Sequence, residues 1–480
     1  MTARHALVAV LLLVAAAGAT PAVAQDESRI HADFRKEGDR VGEDCSGFGV
    51  KTLAGCAMTL VTDHPLHLAV GSIAPQNGFA FGLALGTDFS PSVNWRSSFS
   101  VDAVGAPSGA WRTGAYWKFR HTDVAPPVVV VSGSGASGSG GGIHPYPIYS
   151  FYGQAISLPT VSYFGLGDAT TTSNRTVFRM RQTVVGGSAI VPVFTSALSR
   201  VNLALLGEAN GRWVSVGGAD SSKAPSIDTV FTDATAPGLA SQAGFVQFGE
   251  GVRMKPSLFG NRVHLNYMAQ LQEFVAPSQS TSSFRRWTVD LDHQFAIYRQ
   301  SPAPVQPEGY GPNDCRADSS TGRCPGIVPL RRIDGSWNKT GTIGFRALVS
   351  KSSVSDGAAV PFYFQQTLGG SDINGNATLA SYDDYRFRGP HLVLLQETFE
   401  HSIAGPVGAF IAADQGKVLL QGESVGVSGL RRSFTMGATL RAGAAPMVVV
   451  SYATGGPEGH HLAFTMSTSL LGSSSRPSLH

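Results

Sequence analysis

The chain has 480 residues, a formal net charge of +3 and only 14% charged residues, so its overall charge does not indicate a strongly charged partner. Its basic residues are scattered instead of forming a patch, which argues against nucleic acid as a partner. The sequence carries 57 glycines and 27 prolines, and helix-type apolar spacing is hard to find. This composition favours strands separated by turns.

The first 24 residues have the layout of a secretory signal peptide. Arg4 precedes an apolar run over residues 6–17, and Ala22-Val23-Ala24 supplies small residues at the cleavage position. A membrane anchor is the alternative, although the apolar core is shorter than the roughly 20 residues that a spanning helix needs. We therefore predict export, cleavage after residue 24, and a short periplasmic segment over residues 25–65.

Four cysteines remain after export, as the close pairs Cys45 with Cys56 and Cys315 with Cys324. An even count and local spacing in an oxidising compartment predict two small loop disulfides. Metal binding is the rival interpretation. It is weakened because neither pair has the tight C-x-x-C spacing of zinc sites.

Several segments alternate between apolar and polar residues over ten or more positions. Residues 263–272 place Val263, Leu265, Tyr267, Ala269 and Leu271 on one face and His264, Asn266, Met268, Gln270 and Gln272 on the other. The same period of two recurs around Trp111, Leu203 and Trp287. Such runs exceed the usual strand of about five or six residues in soluble proteins.

Long two-sided strands fit a transmembrane barrel better than a soluble sandwich. In a barrel the apolar face meets lipid, the polar face lines a wet lumen, and about 9–11 tilted residues span the bilayer. Lipid cannot hydrogen-bond a free sheet edge, so the sheet must close. We predict an all-β fold, a transmembrane antiparallel β-barrel over residues 66–472, with sixteen strands near 66–74, 77–87, 92–104, 109–121, 157–166, 175–196, 200–216, 241–254, 261–275, 283–299, 340–352, 390–402, 406–415, 428–441, 446–453 and 459–470.

Three long loops and a tail complete this organisation. The loop 122–156 contains a flexible Ser/Gly-rich segment, and the loop 300–339 holds the second cysteine pair. The third loop, 353–389, concentrates arginine and aromatic residues just before a strand. Residues 473–480 form a polar tail.

The C-terminal part resembles the barrel of the BamA/TamA outer-membrane assembly superfamily, also called the bacterial surface antigen family. The motifs are Gln365-Gln366-Thr367-Leu368-Gly369-Gly370, Arg386-Phe387-Arg388-Gly389, Leu392 to Glu397, Phe410-Ile411-Ala412-Ala413-Asp414-Gln415-Gly416-Lys417-Val418 as a thirteenth strand, and Gly437-Ala438-Thr439-Leu440-Arg441 as a fourteenth. Tyr163-Phe164-Gly165-Leu166-Gly167-Asp168 is similar to a glycine-rich strand start in the same barrels. Residues 25–65 are too short for even one of the POTRA domains that assembly members carry.

The resemblance implies that the loop 353–389 folds into the lumen and is held by an arginine against acidic groups of the wall. The family's arginine and glycine are missing where the chain has Leu379-Ala380-Ser381-Tyr382. Arg386 and Arg388 are then the candidate arginines of this loop-to-lumen latch, and Glu397 and Asp414 are the candidate acceptors. The alternative is a solvated charge pair beside Asp383 and Asp384.

The resemblance implies a role in outer-membrane protein assembly or insertion, or in passage of substrates through the lumen. A passive pore or a structural surface barrel is the alternative, and a lipolytic enzyme rests only on Gly422-Glu423-Ser424-Val425-Gly426. The expected partners are outer-membrane lipid and unfolded client proteins, with the chain itself a monomer. No phosphate-binding loop is found, and His460 and His461 would point to opposite faces of a strand, so we expect no cofactor and no metal.

Overall fold

A computed structural model describes residues 66–92, 94–121, 146–193, 202–219, 224–259, 263–297, 341–404, 407–442, 445–456 and 458–466, with a few separate residues between 35 and 46. Nearly all of the continuous ranges lie in antiparallel strands of one sheet. Among these residues no helix has the length and apolar character needed to cross a membrane. The predicted signal peptide, Cys56, Cys315, Cys324 and the polar tail lie outside the described residues, so both disulfide pairings stay predictions.

Sixteen long strands follow one another around the sheet in chain order. They are β1 (Leu66–Ser72), β2 (Phe79–Ser92), β3 (Trp95–Gly105), β4 (Trp111–His121), β5 (Ile148–Tyr163), β6 (Thr176–Pro192), β7 (Leu203–Gly218), β8 (Gly244–Met254), β9 (Val263–Val275), β10 (Phe284–Ala296), β11 (Gly341–Ser353), β12 (His391–Ala404), β13 (Val407–Leu419), β14 (Arg431–Ala442), β15 (Ala445–Gly456) and β16 (Gly459–Met466). Each strand pairs antiparallel with the next, and β16 returns into contact with β1. The predicted sixteen-stranded antiparallel barrel is confirmed.

The two faces of the wall are reversed relative to a soluble protein. Large apolar side chains face outward and are exposed, as at Trp213 (54%) and Leu462 (79%). Polar side chains that alternate with them point inward and are buried, as at Asp102, Arg212 and Gln247. A soluble sandwich would bury its tryptophans and expose its arginines. The reversal is the pattern of a wall whose outer face meets lipid and whose inner face lines a polar lumen.

Antiparallel alternation sends the connections between strands to two opposite ends of the barrel. We call the end at which β11 finishes and β12 begins the upper rim, and the other end the lower rim. Residues 354–390, which connect these two strands, are called the inner loop. A buried apolar cluster lies at the upper rim, where the inner loop meets the ends of β5, β6, β8, β9 and β10.

The fifth strand differs most from its prediction. It begins at Ile148 instead of residue 157, so part of the predicted loop 122–156 belongs to the wall. Phe151 faces outward and Tyr152 and Gln154 face inward, an alternation that the neighbouring glycine and serine residues obscure in the sequence. The motif that begins at Tyr163 lies at the end of this strand and not at a strand start.

Candidate functional site

The inner loop crosses the bore at the upper rim. On one side the amide of Phe362 donates a hydrogen bond to the carbonyl oxygen of Pro237, in the β7–β8 connection, at 2.8 Å. On another side the hydroxyl of Tyr385 donates to the carbonyl oxygen of Pro75, in the β1–β2 turn, at 3.3 Å. Because these partners belong to well-separated parts of the rim, the loop spans the lumen instead of standing above it.

Three consecutive aromatic residues fix the first half of the inner loop. Phe362–Phe364 form a single 3-10 turn whose side chains are all buried. Rings from the wall surround them at centroid distances of 5.0 to 5.3 Å: Tyr163 and Phe178 beside Phe362, and Phe245 and Phe274 beside Phe364. Three of these four contacts are edge-to-face, a geometry that stabilises beyond simple area burial. The aromatic turn therefore docks the loop on β5, β6, β8 and β9.

The second half of the loop closes on itself as a short antiparallel ladder between Gln366–Leu368 and Phe387–Gly389. The predicted motif glycines Gly369 and Gly370 make this possible, because both adopt positive φ, 106° and 57°. A Cβ on Gly369 would lie 2.5 Å from the Cβ of Arg386. Only glycine fits at that crossing without displacing the arginine.

The other two motif glycines let the loop lie against the inner wall. A Cβ on Gly416 of β13 would lie 3.1 Å from the Cδ1 of Leu368 and 2.9 Å from the carbonyl oxygen of Val393. A Cβ on Gly389 would lie 2.8 Å from the carbonyl oxygen of Leu419. The glycine positions in the motifs thus mark close approaches between the loop and β12–β13.

Arg386 joins three separate elements through one guanidinium. Its Nε and Nη2 donate to the two carboxylate oxygens of Glu458, between β15 and β16, each at 2.6 Å. Its Nη1 and Nη2 donate to the side-chain and carbonyl oxygens of Thr170, between β5 and β6, at 2.7 and 2.6 Å. The guanidinium carbon lies 4.9 Å from the ring centre of Phe164 and 4.7 Å from that of Phe387. Its side chain is fully buried, so these contacts are made away from water.

Arg388 is buried by aromatic rings and has no carboxylate contact among the described residues. Its Nη1 donates to the carbonyl oxygen of Phe362 at 2.9 Å. Its guanidinium lies 5.8 to 5.9 Å from the ring centres of Tyr163, Phe178 and Phe362. Burial lowers the pKa of Arg388 to about 10, so the guanidinium stays charged at neutral pH.

These positions change two of the sequence-based expectations. Arg386 and Arg388 are 1% and 4% exposed, so the alternative of a solvated charge pair does not hold. The carboxylate partner of Arg386 is Glu458 and not Glu397 or Asp414. Asp414 instead accepts the amide of Leu379 at 3.0 Å, and it accepts a side-chain amide of Gln396.

Glu397 lies outside the lumen. It pairs in register with Phe345 of β11, whose side chain is exposed on the outer face, and Glu397 itself is exposed. The sequence placed it near the inner loop in the chain, but strand alternation turns it toward lipid while Gln396 turns inward. It therefore takes no part in holding the loop.

Two further arginines were missed as loop contacts. Arg431 of β14 donates from Nε to a carboxylate oxygen of Asp168 at 3.0 Å, and its guanidinium lies 5.0 Å from the ring centre of Phe387. Arg286 of β10 is 1% exposed and donates through Nη2 to the carbonyl oxygen of Phe364. The period of two had placed Arg286 on the inner face, but it gave no sign that the loop would reach it.

One acid of the inner loop has a strongly altered titration. The pKa of Asp384 is raised to about 6, mainly by burial and also by the charge of Asp383, while the amide of Ser371 and the charges of His461 and Arg175 act in the opposite direction. The Nε2 of His461 lies 3.8 Å from a carboxylate oxygen of Asp383. The second half of the inner loop therefore carries a proton-sensitive group between pH 4 and 6.

Below the inner loop the inner wall is lined by paired polar groups. Arg346 of β11 makes two hydrogen bonds of 2.9 Å to the carboxylate of Asp290 on β10. Glu208 of β7 accepts side-chain amides from Gln247 and Gln272, each at 2.7 Å. The charge of Arg346 is therefore paired with a carboxylate, and the carboxylate of Glu208 is held by neutral amides.

The hydrolase-like motif lies in the wrong local structure for catalysis. Gly422, Ser424 and Gly426 belong to the connection between β13 and β14, and Ser424 is exposed. A nucleophile elbow needs a strand, a strained turn and then a helix. Strands lie on both sides of this motif, so it is a hairpin connection.

Comparisons with known proteins give fold-level similarity. No protein-family model matches the chain, and no curated protein matches it. Among solved structures, it is similar to CdiB from Acinetobacter baumannii (9% identity, TM-score 0.44, 84% of this chain and 57% of that one). It is also similar to CdiB from Escherichia coli (12%, 0.45, 84% and 61%) and to BamA from Haemophilus ducreyi lacking POTRA domains 1–3 (9%, 0.43, 83% and 68%).

A BamA barrel is among the matching structures. The chain spans 57% and 61% of the length of the two CdiB structures. At these identities and TM-scores the likeness concerns the fold and adds nothing about function.

Proposed function

We propose that this protein is an outer-membrane barrel similar to the BamA/TamA superfamily, and that it assists insertion or passage of other polypeptides with the inner loop closing its lumen. The contact of Arg386 with Glu458 and Thr170 carries the proposal, because it joins the loop to two other connections of the upper rim. A buried, bidentate ion pair contributes little net stability but fixes geometry well. A passive pore does not need a loop that is held across its lumen in one geometry.

The lipid-facing outer wall and the predicted signal peptide support an outer-membrane location. The expected partners are membrane lipid and unfolded outer-membrane clients, and the protein is expected to act as a monomer. In this proposal the polar inner wall below the loop, with the Arg346 and Asp290 pair, is the surface that a polar polypeptide segment meets.

A gated or passive pore is the second candidate. The paired charges along the inner wall favour it, since ions pass readily along a hydrated surface of this kind if the loop leaves the bore. Conductance alone separates the two candidates incompletely, because a translocating barrel also opens transiently. A direct measurement on a client is therefore needed.

The test places the purified full chain in lipid vesicles. The client is an eight-stranded outer-membrane barrel protein that has been unfolded in urea. Folding of the client is followed by its faster gel migration before boiling. We expect the protein to raise the folding rate at least tenfold above empty vesicles, and planar bilayers to show only brief openings. No acceleration together with a steady conductance would establish the pore instead.

A further inference from the structure

The outer face of the barrel carries a groove over β6 and β7. The outward-facing residues of its floor are glycine and alanine, Gly187 and Ala189 on β6 and Gly207 and Ala209 on β7, and the intervening Ser188 and Glu208 also line it. Tyr149 and Phe151 of β5 form one side of the groove, and Phe248 of β8 and Leu271 of β9 form the other. The groove encloses about 610 Å³. We call it the outer groove.

Strand register places these residues in two neighbouring rows across the wall. One row contains Phe151, Gly187, Ala209 and Phe248, and the next contains Tyr149, Ala189, Gly207 and Glu250. Phe151 and Phe248 are 53% and 52% exposed, which identifies this face as the one that meets lipid. In these two rows β6 and β7 carry no side chain larger than a methyl group, which leaves a channel about 10 Å wide between the larger side chains of β5 and β8.

Glu250 points from β8 into this groove. It pairs in register with Gly207 and with Leu271, and it is exposed on the same face as Phe248 and Val252. Across the described residues its carboxylate has no hydrogen-bond or ionic partner. The neighbouring outward acid is different, since Glu273 accepts from Arg285 at 2.9 Å.

The depth of Glu250 makes an unpaired carboxylate unusual. It is the seventh residue of β8 from the upper rim, and Met254 at the lower end is four positions further on, about 13 Å along the strand. Ionisable residues facing the hydrocarbon are rare and mark functional positions when they occur. Acyl chains would fill the groove but would leave the charge without a partner.

We infer that the outer groove docks an apolar membrane-spanning segment of another protein that carries a lysine or arginine, whose charge pairs with Glu250. Small residues on the floor let the backbone of such a segment approach closely, as at helix contacts in membranes. The aromatic ridges then hold it on both sides. The charge pair with Glu250 also makes binding selective, because a docked segment without a lysine or arginine would leave the Glu250 carboxylate without a partner.

A second copy of this chain is a poorer occupant. A two-fold axis along the membrane normal would bring two Glu250 carboxylates to the same depth and close together, which repels. Several outward arginine and lysine side chains on the described wall lie nearer the upper rim. Lys351 and Arg432, for example, are the third and second residues from the upper ends of their strands.

The experiment uses the full chain in phosphatidylcholine vesicles and synthetic membrane-spanning helices of Leu-Ala repeats with one central lysine or one central glutamine. Each helix carries a dansyl group, and energy transfer from the protein's tryptophans reports binding. We expect the lysine helix to bind at least tenfold more tightly than the glutamine helix. Glu250→Gln should abolish that difference.

Two control variants make the result specific to the groove. Glu397→Gln removes another exposed, lipid-facing carboxylate four strands away on β12 and should leave the lysine preference unchanged. Gly207→Leu should weaken binding of both helices, because a Cβ there meets open space and the larger side chain fills the floor. It also tests the groove independently if Glu250→Gln folds poorly.

Equal affinity of the two helices for the unaltered protein would overturn the inference. So would a loss of preference in Glu397→Gln equal to that in Glu250→Gln. Self-association of the unaltered chain that Glu250→Gln abolishes would assign the groove to a second copy instead. None of these outcomes depends on whether the inner loop acts in client insertion.

Discussion

Replacing Arg386 with alanine removes the contact on which closure by the inner loop depends. The change deletes four hydrogen bonds of 2.6 to 2.7 Å, two to Glu458 and two to Thr170. It also leaves the Glu458 side chain, only 18% exposed, without its cation. The barrel wall itself is untouched, because Arg386 lies outside the sixteen strands.

The size of the effect follows from the burial of the pair. Removing one partner of a buried ion pair costs about 3–5 kcal/mol, since the other charge stays buried and unpaired. Each 1.4 kcal/mol is about a factor of ten in an equilibrium. The fraction of molecules with a released inner loop should therefore rise by roughly two to three and a half orders of magnitude.

Limited proteolysis of the protein in vesicles measures this release. When loop opening is fast compared with cleavage, the cleavage rate follows the population of the open form. We expect cleavage within residues 354–390 to accelerate at least a hundredfold in Arg386→Ala. Arg285→Ala is the matched control, because Arg285 pairs with Glu273 on the exposed outer face. Cleavage of Arg386→Ala at the rate of this control would refute the reasoning.

Three further predictions concern the same loop. Arg388→Met should raise the cleavage rate less than tenfold, because Arg388 contacts aromatic rings and a carbonyl oxygen but no described carboxylate. The same proteolysis assay measures this rate. Gly369→Ala should release the inner loop about as strongly as Arg386→Ala, because its Cβ would collide with Arg386. Gly426→Ala is the control, since the space around its Cβ is open and the variant should behave as the unaltered protein. Thermal gel-shift assays compare the two variants. The pKa of Asp384 is raised from 3.8 to about 6, mainly by burial, so the docked loop binds more protons than the released loop at intermediate pH. Docking should therefore weaken as the pH rises from 4 to 6 and should change little above pH 6. Asp384→Asn should remove that dependence, and an unchanged pH profile of proteolysis in this variant would contradict it.

The wall was predictable because each strand carries its own signal. A period of two with tryptophan or phenylalanine on one side and charge on the other can be recognised without knowing any partner strand, as at Trp111 to His121. The largest error is at the start of β5, where Gly153 and Ser150 provide little contrast between the faces. The other fifteen strands lie within five residues of their predicted bounds.

The site was predictable only in part, because its contacts join distant parts of the chain. The sequence identified Arg386 and Arg388 and the glycines that turn the loop. It did not identify Glu458, which is 72 residues from Arg386 in the chain and carries no motif of its own. Which acid meets a buried arginine depends on how far a loop descends into the bore, and no residue-level pattern encodes that distance.

The contacts of Asp414 explain how the loop is held although the family's arginine and glycine are missing at Leu379 to Tyr382. The resemblance implies an arginine facing an acid on the wall, and here the acid is present but accepts the backbone amide of Leu379 instead. The amide of Ser381 donates to the hydroxyl of Ser433 in the same way, at 2.9 Å. Backbone donors thus attach this segment to β13 and β14, and the guanidinium acts at the rim through Arg386. Because the two attachments are separate, Asp414→Asn, which keeps an acceptor for the amide, should leave the Arg386 pair intact, whereas Glu458→Gln should weaken it.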